Sequence, residues 1–202
     1  MEEKSNDWQQ QREGYKKVAI VCFFIGLYLF IRVHSESYNI ESSHLQEIEN
    51  LIIEEKPIFK ETKGKRGRKW YEFKCENNKS TFEITGFDYR CTYNNKIIEE
   101  INVADTISIK VLKNEMEDFN TENVCEIHSL KKNDKDYLNV ECRNQEENND
   151  AKGMYIILFT VSFMTISVYS FKQKHKYFDE VDPRVPIWII VIILFIVVYK
   201  YL

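Results

Sequence analysis

The amino-acid sequence predicts an integral membrane protein with three transmembrane α-helices and an extracytoplasmic α+β domain built mainly from antiparallel strands. Three observations lead to this fold class. The chain has three strongly apolar runs, its lysines and arginines cluster beside some of these runs and not others, and four cysteines fall in the long polar segment between the first two runs. A chain of 202 residues has room for one domain together with these spans.

The apolar runs cover residues 18–33, 153–171 and 187–202. A transmembrane helix needs about 20 apolar residues, so the second run is long enough and the shorter two depend on the aromatic and basic residues at their ends. A cleaved signal peptide is an alternative for the first run, although no A-x-A-like site follows it. A buried core helix is an alternative for the third run, which is apolar on every face. We predict an uncleaved anchor and a third span.

The positions of lysine and arginine predict the orientation in the membrane. Basic residues that flank spans favour the cytoplasmic side. They are frequent in residues 1–17 and 172–186 and absent from the stretch between Arg32 and Lys56. We therefore expect a multi-pass protein of the cell (inner or plasma) membrane, with residues 1–17 and 172–186 in the cytoplasm and residues 34–152 outside.

The outer segment begins with a helical pattern. Ser43 with Gln46 resembles a helix-capping box, and Leu45, Ile48 and Ile52 recur at helical spacing. The sequence therefore predicts an amphipathic helix over residues 43–55.

Two β-hairpins are predicted further along the segment. Residues 69–75 and 80–85 alternate between apolar and polar, and a turn at Asn77-Asn78 pairs Tyr71 with Ile84 and Phe73 with Phe82 on one face. Residues 124–142 form a second hairpin about a turn at residues 133–134. Between the hairpins we predict a short helix over residues 96–101 and a strand over residues 106–112, which gives about five strands.

The cysteines of the outer segment are even in number, as expected for disulfides in an oxidising compartment. The second hairpin places Cys125 opposite Cys142, which predicts that pair and leaves Cys75 with Cys91. A four-cysteine zinc site and four free thiols are the alternatives. No C-x-x-C element supports zinc, so we expect no metal.

The segment KGKRGRK forms a basic loop. A solvated loop is the simplest interpretation, and contact with a polyanion or with anionic lipid head groups is the functional one. A nucleic-acid or nuclear-localisation role requires a cytosolic domain. The possible contact residues are Lys63, Lys65, Arg66, Arg68 and Lys69.

Motifs for chemistry are missing from the sequence. The spans contain no Asp, Glu or His, which argues against a pump or secondary transporter. The four histidines are scattered, and no G-x-S-x-G, H-E-x-x-H or phosphate-binding glycine loop occurs. We therefore predict no catalytic residues and no cofactor, and the net charge of −4 argues against a nucleic-acid partner.

The segments WYEFKC, FEITGFDYRC, ADTISIKVL and DYLNVEC, between flanking helices, resemble small uncharacterised bacterial multi-pass membrane proteins with an extracytoplasmic β domain of unknown function. The resemblance covers about residues 60–170 and implies no active site. Our function hypothesis is a non-enzymatic binding or accessory protein, in contact with membrane lipid, whose outer domain engages another envelope or secreted protein, as an immunity protein or a membrane-complex subunit does. The alternative is a channel or transport component that its outer domain regulates.

Overall fold

The computed structural model describes residues 2–35, 39–64, 67–92 and 96–201 of the chain. The chain divides into two compact units. One is Asn39–Glu147, and the other combines Met1–Tyr38 with Asn148–Leu202. The helices are α1 (Glu2–His34), α2 (Gly86–Arg90), α3 (Lys96–Glu100), α4 (Val140–Ser170), α5 (Tyr177–Glu180) and α6 (Arg184–Tyr201).

Helices α1 and α4 pack in antiparallel directions in the second of these units. The indole nitrogen of Trp8 donates to the carbonyl of Phe171 at 3.3 Å, and the hydroxyl of Ser162 donates to the carbonyl of Ala19 at 2.9 Å. Ser162 and Thr165 are both buried. Small polar residues of this kind let apolar helices approach closely and satisfy their own hydroxyls.

Helix α6 packs against α4 at a glycine. A Cβ atom at Gly153 would lie 2.4 Å from Cγ1 of Val198, a distance that side chains do not tolerate. The absence of a side chain at this position therefore sets how closely the two helices approach.

Among the residues that the structure describes, two helices are long and apolar enough to cross a membrane, over Asp7–His34 and Val140–Ser170. The apolar stretch of α6, Arg184–Val198, is shorter. The structure thus provides two of the three predicted spans at the required length.

The other unit is an α+β domain, as predicted, with a seven-stranded mixed sheet. Its strands are β1 (Leu45–Glu61), β2 (Lys69–Cys75), β3 (Thr81–Ile84), β4 (Thr106–Leu112), β5 (Val124–Glu126), β6 (Ser129–Lys132) and β7 (Lys135–Leu138).

Strand β1 occupies the centre of this sheet. Its residues 45–52 pair antiparallel with β4, and its residues 53–61 pair antiparallel with β2. The pairing shifts between Ile48 and Leu51, and Asn50 in this interval has a positive φ of 60°. Such a bulge bends a strand and increases its twist. One long strand can therefore serve two neighbours that lie in different directions.

The sheet closes on itself through β5 and β6. Strand β5 pairs parallel with β3, and β6 pairs antiparallel with β4. The two intervening amides continue both pairings, because Ile127 donates to the Glu83 carbonyl at 3.0 Å and His128 donates to the Lys110 carbonyl at 2.9 Å. The result is a barrel in the order β1-β2-β3-β5/β6-β4, with β7 added beside β6. This connectivity, with helices between β3 and β4, is that of the five-stranded OB-fold barrel.

The helix predicted over residues 43–55 is wrong, because these residues begin β1. The register sets both Ile48 and Leu51 opposite inward residues of β4, Ile109 and Ile107. The bulge between them inserts an extra residue, so that two residues of one strand face are spaced by three. The predicted helix rested on Leu45, Ile48 and Ile52, which lie opposite Leu112, Ile109 and Thr106 and so do not share one face of the strand. Pairing with β4 makes this segment a strand.

The first predicted hairpin is confirmed with its register. Tyr71 lies opposite Ile84 and Phe73 opposite Phe82, and the rings of this second pair stack with centroids 5.4 Å apart. Asn77 in the connecting turn has a φ of 57°. The predicted strand β4 is also confirmed, with all three of its inward residues buried. The barrel core includes Ile53, Tyr71, Phe73, Phe82, Ile84, Ile107, Ile109, Val111, Ile127 and Leu130.

The second predicted hairpin is confirmed at its turn and wrong further out. Asn133 and Asp134 both have positive φ, as a tight hairpin turn requires. A register shift then sets Leu130 opposite Leu138, where simple counting from the turn expects Ser129. Beyond Leu138 the chain turns into helix α4.

The disulfide of the structure joins Cys91 to Cys142, with Cα atoms 5.8 Å apart. The predicted pairs Cys125 with Cys142 and Cys75 with Cys91 are wrong, since Cys75 and Cys125 are free and buried. Strand β5 pairs with β3, which sets Cys125 opposite Phe82, and Cys142 belongs to the first turns of α4. The bond therefore joins the end of α2 to the start of α4.

We expect thiol mapping of the native protein to separate these two pairs of cysteines. Burial raises the pKa of Cys75 to about 12 and that of Cys125 to about 11, which leaves both as unreactive thiols. With N-ethylmaleimide at about pH 8, neither should be labelled before denaturation. Peptide mapping without reductant should yield one linked peptide containing Cys91 and Cys142, and a linked peptide containing Cys125 would contradict the structure.

Candidate binding surface

The outer face of β1, β2 and β3 is the candidate binding surface, which we call the outer sheet face. Side chains alternate along each strand, so the residues between the buried core positions point outward. In OB-fold barrels this face and the loops between strands 1–2 and 4–5 carry the ligand. The described residues of the outer sheet face are Glu55, Ile58, Lys60, Trp70, Glu72, Lys74, Thr81 and Glu83.

Four of the cations in and beside this face are paired with carboxylates. The four pairs are Lys60 with Glu72 at 2.6 Å, Lys74 with Glu55 at 2.9 Å, Arg68 with Glu83 at 2.5 Å and Lys69 with Glu61 at 3.7 Å. The pairs in which both partners are exposed, Lys74 with Glu55 and Lys69 with Glu61, contribute little to stability. The main consequence of the four pairs is that the outer sheet face carries no strong field of either sign.

Two apolar side chains lie among these pairs. Ile58 is 49% exposed on β1. The guanidinium of Arg68 lies over the ring of Trp70, 5.2 Å from its centroid, and the indole nitrogen donates to Glu72 at 3.3 Å. Trp and Arg dominate the energetics of many protein interfaces. A shallow depression of about 320 Å³ lies beside them, lined by Glu55, Lys56, Ile58, Glu72, Phe73 and Lys74.

A row of three carboxylates crosses the neighbouring strands. The registers set Glu72 opposite Glu83 and Glu83 opposite Glu126. Burial raises the pKa of Glu126 above its ordinary value, the charge of His128 opposes this shift, and the carboxylate of Asp88 adds to it. Glu126 is thus the member of the row whose negative charge is least well compensated.

The predicted basic contact residues are not held together as one free cationic cluster. Lys63 is exposed in the loop, while Lys65 and Arg66 lie outside the described residues. Arg68 donates to Thr85 Oγ1 at 3.0 Å besides its pair with Glu83, and Lys69 pairs with Glu61. Two of the five predicted contact residues are therefore already engaged within the domain.

A buried ion cluster lies where α2, the β5–β6 segment and the start of α4 meet. Nδ1 of His128 lies 2.8 Å from Oδ2 of Asp88, and Nε of Arg143 lies 3.5 Å from the same oxygen. Arg143 also pairs with Glu147 at 2.8 Å. His128 and Asp88 are 4% and 2% exposed, and Cys91–Cys142 links the segments that carry Asp88 and Arg143. The disulfide therefore fastens two of the three elements that the ion cluster joins.

An aspartate beside a histidine is also the pair that orients a general base in many hydrolases. Within the described part of the chain, however, Nε2 of His128 has no hydrogen-bond partner, so no hydroxyl or thiol is poised for activation. We therefore interpret the cluster as structural. Sequence reasoning missed it because α2 was not predicted and Cys142 was placed on a strand.

Comparison of the chain with protein-family models, with curated proteins and with solved structures finds no match.

Replacing Asp88 with alanine should cost about 3 kcal/mol or more of unfolding free energy, because the change leaves the buried side chains of His128 and Arg143 without their shared carboxylate. Asp136→Ala is the matched control, since Asp136 makes an exposed pair with Lys131 at 3.2 Å. Its cost should stay below about 1 kcal/mol. Denaturant unfolding of the full chain, followed by near-ultraviolet circular dichroism, would measure both. Equal losses of unfolding free energy in the two variants would contradict a stabilising role for the buried cluster.

Replacing Glu126 with glutamine should stabilise the protein near neutral pH. The raised pKa means that the folded state binds the proton of Glu126 more tightly than the unfolded chain does. Stability therefore falls as pH rises from the ordinary carboxyl pKa through the raised one, and stays lower above it. The melting temperature of E126Q should exceed that of the wild type at about pH 7.5, and the two should converge near pH 4. Glu122→Gln, at an exposed loop position, should show no such pH-dependent gain.

Proposed function

We propose that this protein is a membrane-anchored, non-enzymatic binding protein whose barrel engages another envelope or secreted protein. The observation that carries the proposal is the outer sheet face, where an exposed isoleucine and an Arg-Trp stack are surrounded by charges that are already paired. Binding to such a surface buries apolar area with little cost for stripping water from unpaired ions. The fold alone would not decide this, because one barrel architecture serves many functions.

The charges at the two ends of the outer sheet face favour a protein partner over a polyanion. The loop between β1 and β2, residues 62–68, is basic, whereas the loop between β4 and β5, residues 113–123, contains one lysine and four carboxylates. A polyanion that spans the face would meet these carboxylates and the row that ends at Glu126. A folded protein can present both signs of charge at matching positions, which gives specificity and orientation.

The membrane arrangement is part of the same proposal. Helices α1 and α4 have the length and apolarity of spans, and the flanking lysines and arginines place the N-terminus in the cytoplasm. Residues 39–147 then lie outside, where a Cys91–Cys142 disulfide persists. Helix α6 is the third span in this arrangement, and its Trp188 lies at its cytoplasmic end, where aromatic residues commonly mark the membrane interface.

Crosslinking and co-purification from native membranes test this proposal. The full chain should capture one specific protein, and Trp70→Ala with Ile58→Asp should reduce recovery by about tenfold or more, since central aromatic residues commonly contribute about 2 kcal/mol or more. Val103→Asp is the matched control, because Val103 is 58% exposed in the loop between α3 and β4 and does not line the depression beside Ile58. Equal recovery with both variants would refute the role of this face. A measured enzymatic activity or ion conductance of the purified protein, without a captured partner, would refute the function.

A further inference from the structure

A cavity of about 420 Å³ lies among α1, α4 and α6 in the helical unit. Its walls are largely apolar, with Val18 from α1, Val161 from α4 and Ile187 from α6. The hydroxyl of Thr165, which also lines it, donates to the carbonyl of Val161 at 2.8 Å, so Thr165 adds no free polar group to the wall. The volume lies within the range of about 300–1,000 Å³ that is typical of ligand sites.

One end of the cavity is polar. Gln11, Tyr15 and Arg184 line it there, and Trp188 completes the rim at 63% exposure. Nε and Nη2 of Arg184 donate to Asp182, whereas Nη1 makes no hydrogen bond to any residue that the structure describes. The guanidinium therefore keeps donors for a further acceptor.

We propose that this cavity binds an anionic glycerophospholipid, with one acyl chain along the apolar walls and the phosphate at Arg184. The inference rests on the membrane location in the proposed function. The lipid would bind the helices, at a site separate from the barrel surface that we propose for the protein partner. An apolar cavity with cationic and hydrogen-bonding groups at its cytoplasmic end matches a lipid that has one charged head and long apolar chains. A water-soluble anion would leave the apolar walls unfilled, and a neutral hydrocarbon would leave Arg184 without an acceptor.

Gly14 makes the site testable without disturbing helix packing. It lines the cavity, and a Cβ atom added there would meet no atom within 4 Å. A tryptophan at this position can extend into the cavity and occupy it. Gly26 differs, because a Cβ atom there would lie 3.2 Å from the ring of Phe159.

The experiment is native mass spectrometry of the full chain, purified from membranes and then titrated with phosphatidylglycerol or phosphatidylcholine. The wild type should retain one phospholipid and prefer phosphatidylglycerol. Gly14→Trp should lose the retained lipid. Arg184→Gln should keep a lipid, but its preference for phosphatidylglycerol over phosphatidylcholine should fall by about fivefold. Val21→Leu is the matched control, because Val21 is 56% exposed on α1 and does not line the cavity.

Several results would overturn the inference. They are a wild type that retains no phospholipid, a Gly14→Trp protein that retains as much as the wild type, and a head-group preference that Arg184→Gln leaves unchanged. Retention of a free fatty acid alone would likewise refute the phosphate contact. Extraction of membranes with alkaline carbonate separates this test from the proposed function. If the wild type is released from the membrane, both proposals fail, and if it stays embedded but binds no phospholipid, only the lipid site fails.

Discussion

The pairing of β1 with two different neighbours is the constraint on which the rest of the barrel depends. Residues 45–52 need β4 and residues 53–61 need β2, so these two strands must lie on opposite sides of one bent strand. The bulge at Asn50 makes that bend possible. Once β2 and β4 are placed, the segment from β5 to β6 completes the ring by pairing with β3 and then with β4. The apolar faces of all these strands then share one enclosed core.

A second set of contacts holds the start of α4 against the barrel. The Cys91–Cys142 bond links two residues that are 51 positions apart in the sequence. The cluster of Asp88, His128 and Arg143 lies beside this bond. Asn144 adds a link to the beginning of the domain, because its side chain accepts from the Ile40 amide at 2.9 Å and donates to the Ile40 carbonyl at 3.1 Å. The covalent bond restricts the conformations that the unfolded chain can adopt, whereas the buried ion pairs favour a single arrangement of their side chains in the folded domain. Together they join the first and last segments of the unit.

The kind of ligand that the barrel surface can bind depends on which of its charges are already paired. Counted along the sequence, residues 63–69 are a dense basic segment that suggests a polyanion site. In the folded domain, Arg68 and Lys69 pair with Glu83 and Glu61, and Lys60 and Lys74 pair with Glu72 and Glu55. What is left to a ligand is apolar and aromatic surface of nearly neutral charge. The helical unit differs from the barrel surface in this respect. Its apolar cavity ends at Arg184, whose guanidinium keeps hydrogen-bond donors that Asp182 does not use.

The features that depend on local pattern could be predicted from the sequence. Apolar runs marked the long helices, and strict alternation about an asparagine turn fixed the first hairpin to the register of Phe73 opposite Phe82. The sequence did not predict β1 as a strand, because Leu45, Ile48 and Ile52 recur at helical spacing, and only pairing with β2 and β4 decides the outcome. It did not determine the disulfide either. Cys91 and Cys142 meet because the fold brings the end of α2 beside the start of α4, and that packing joins residues far apart in the chain, which no local period records.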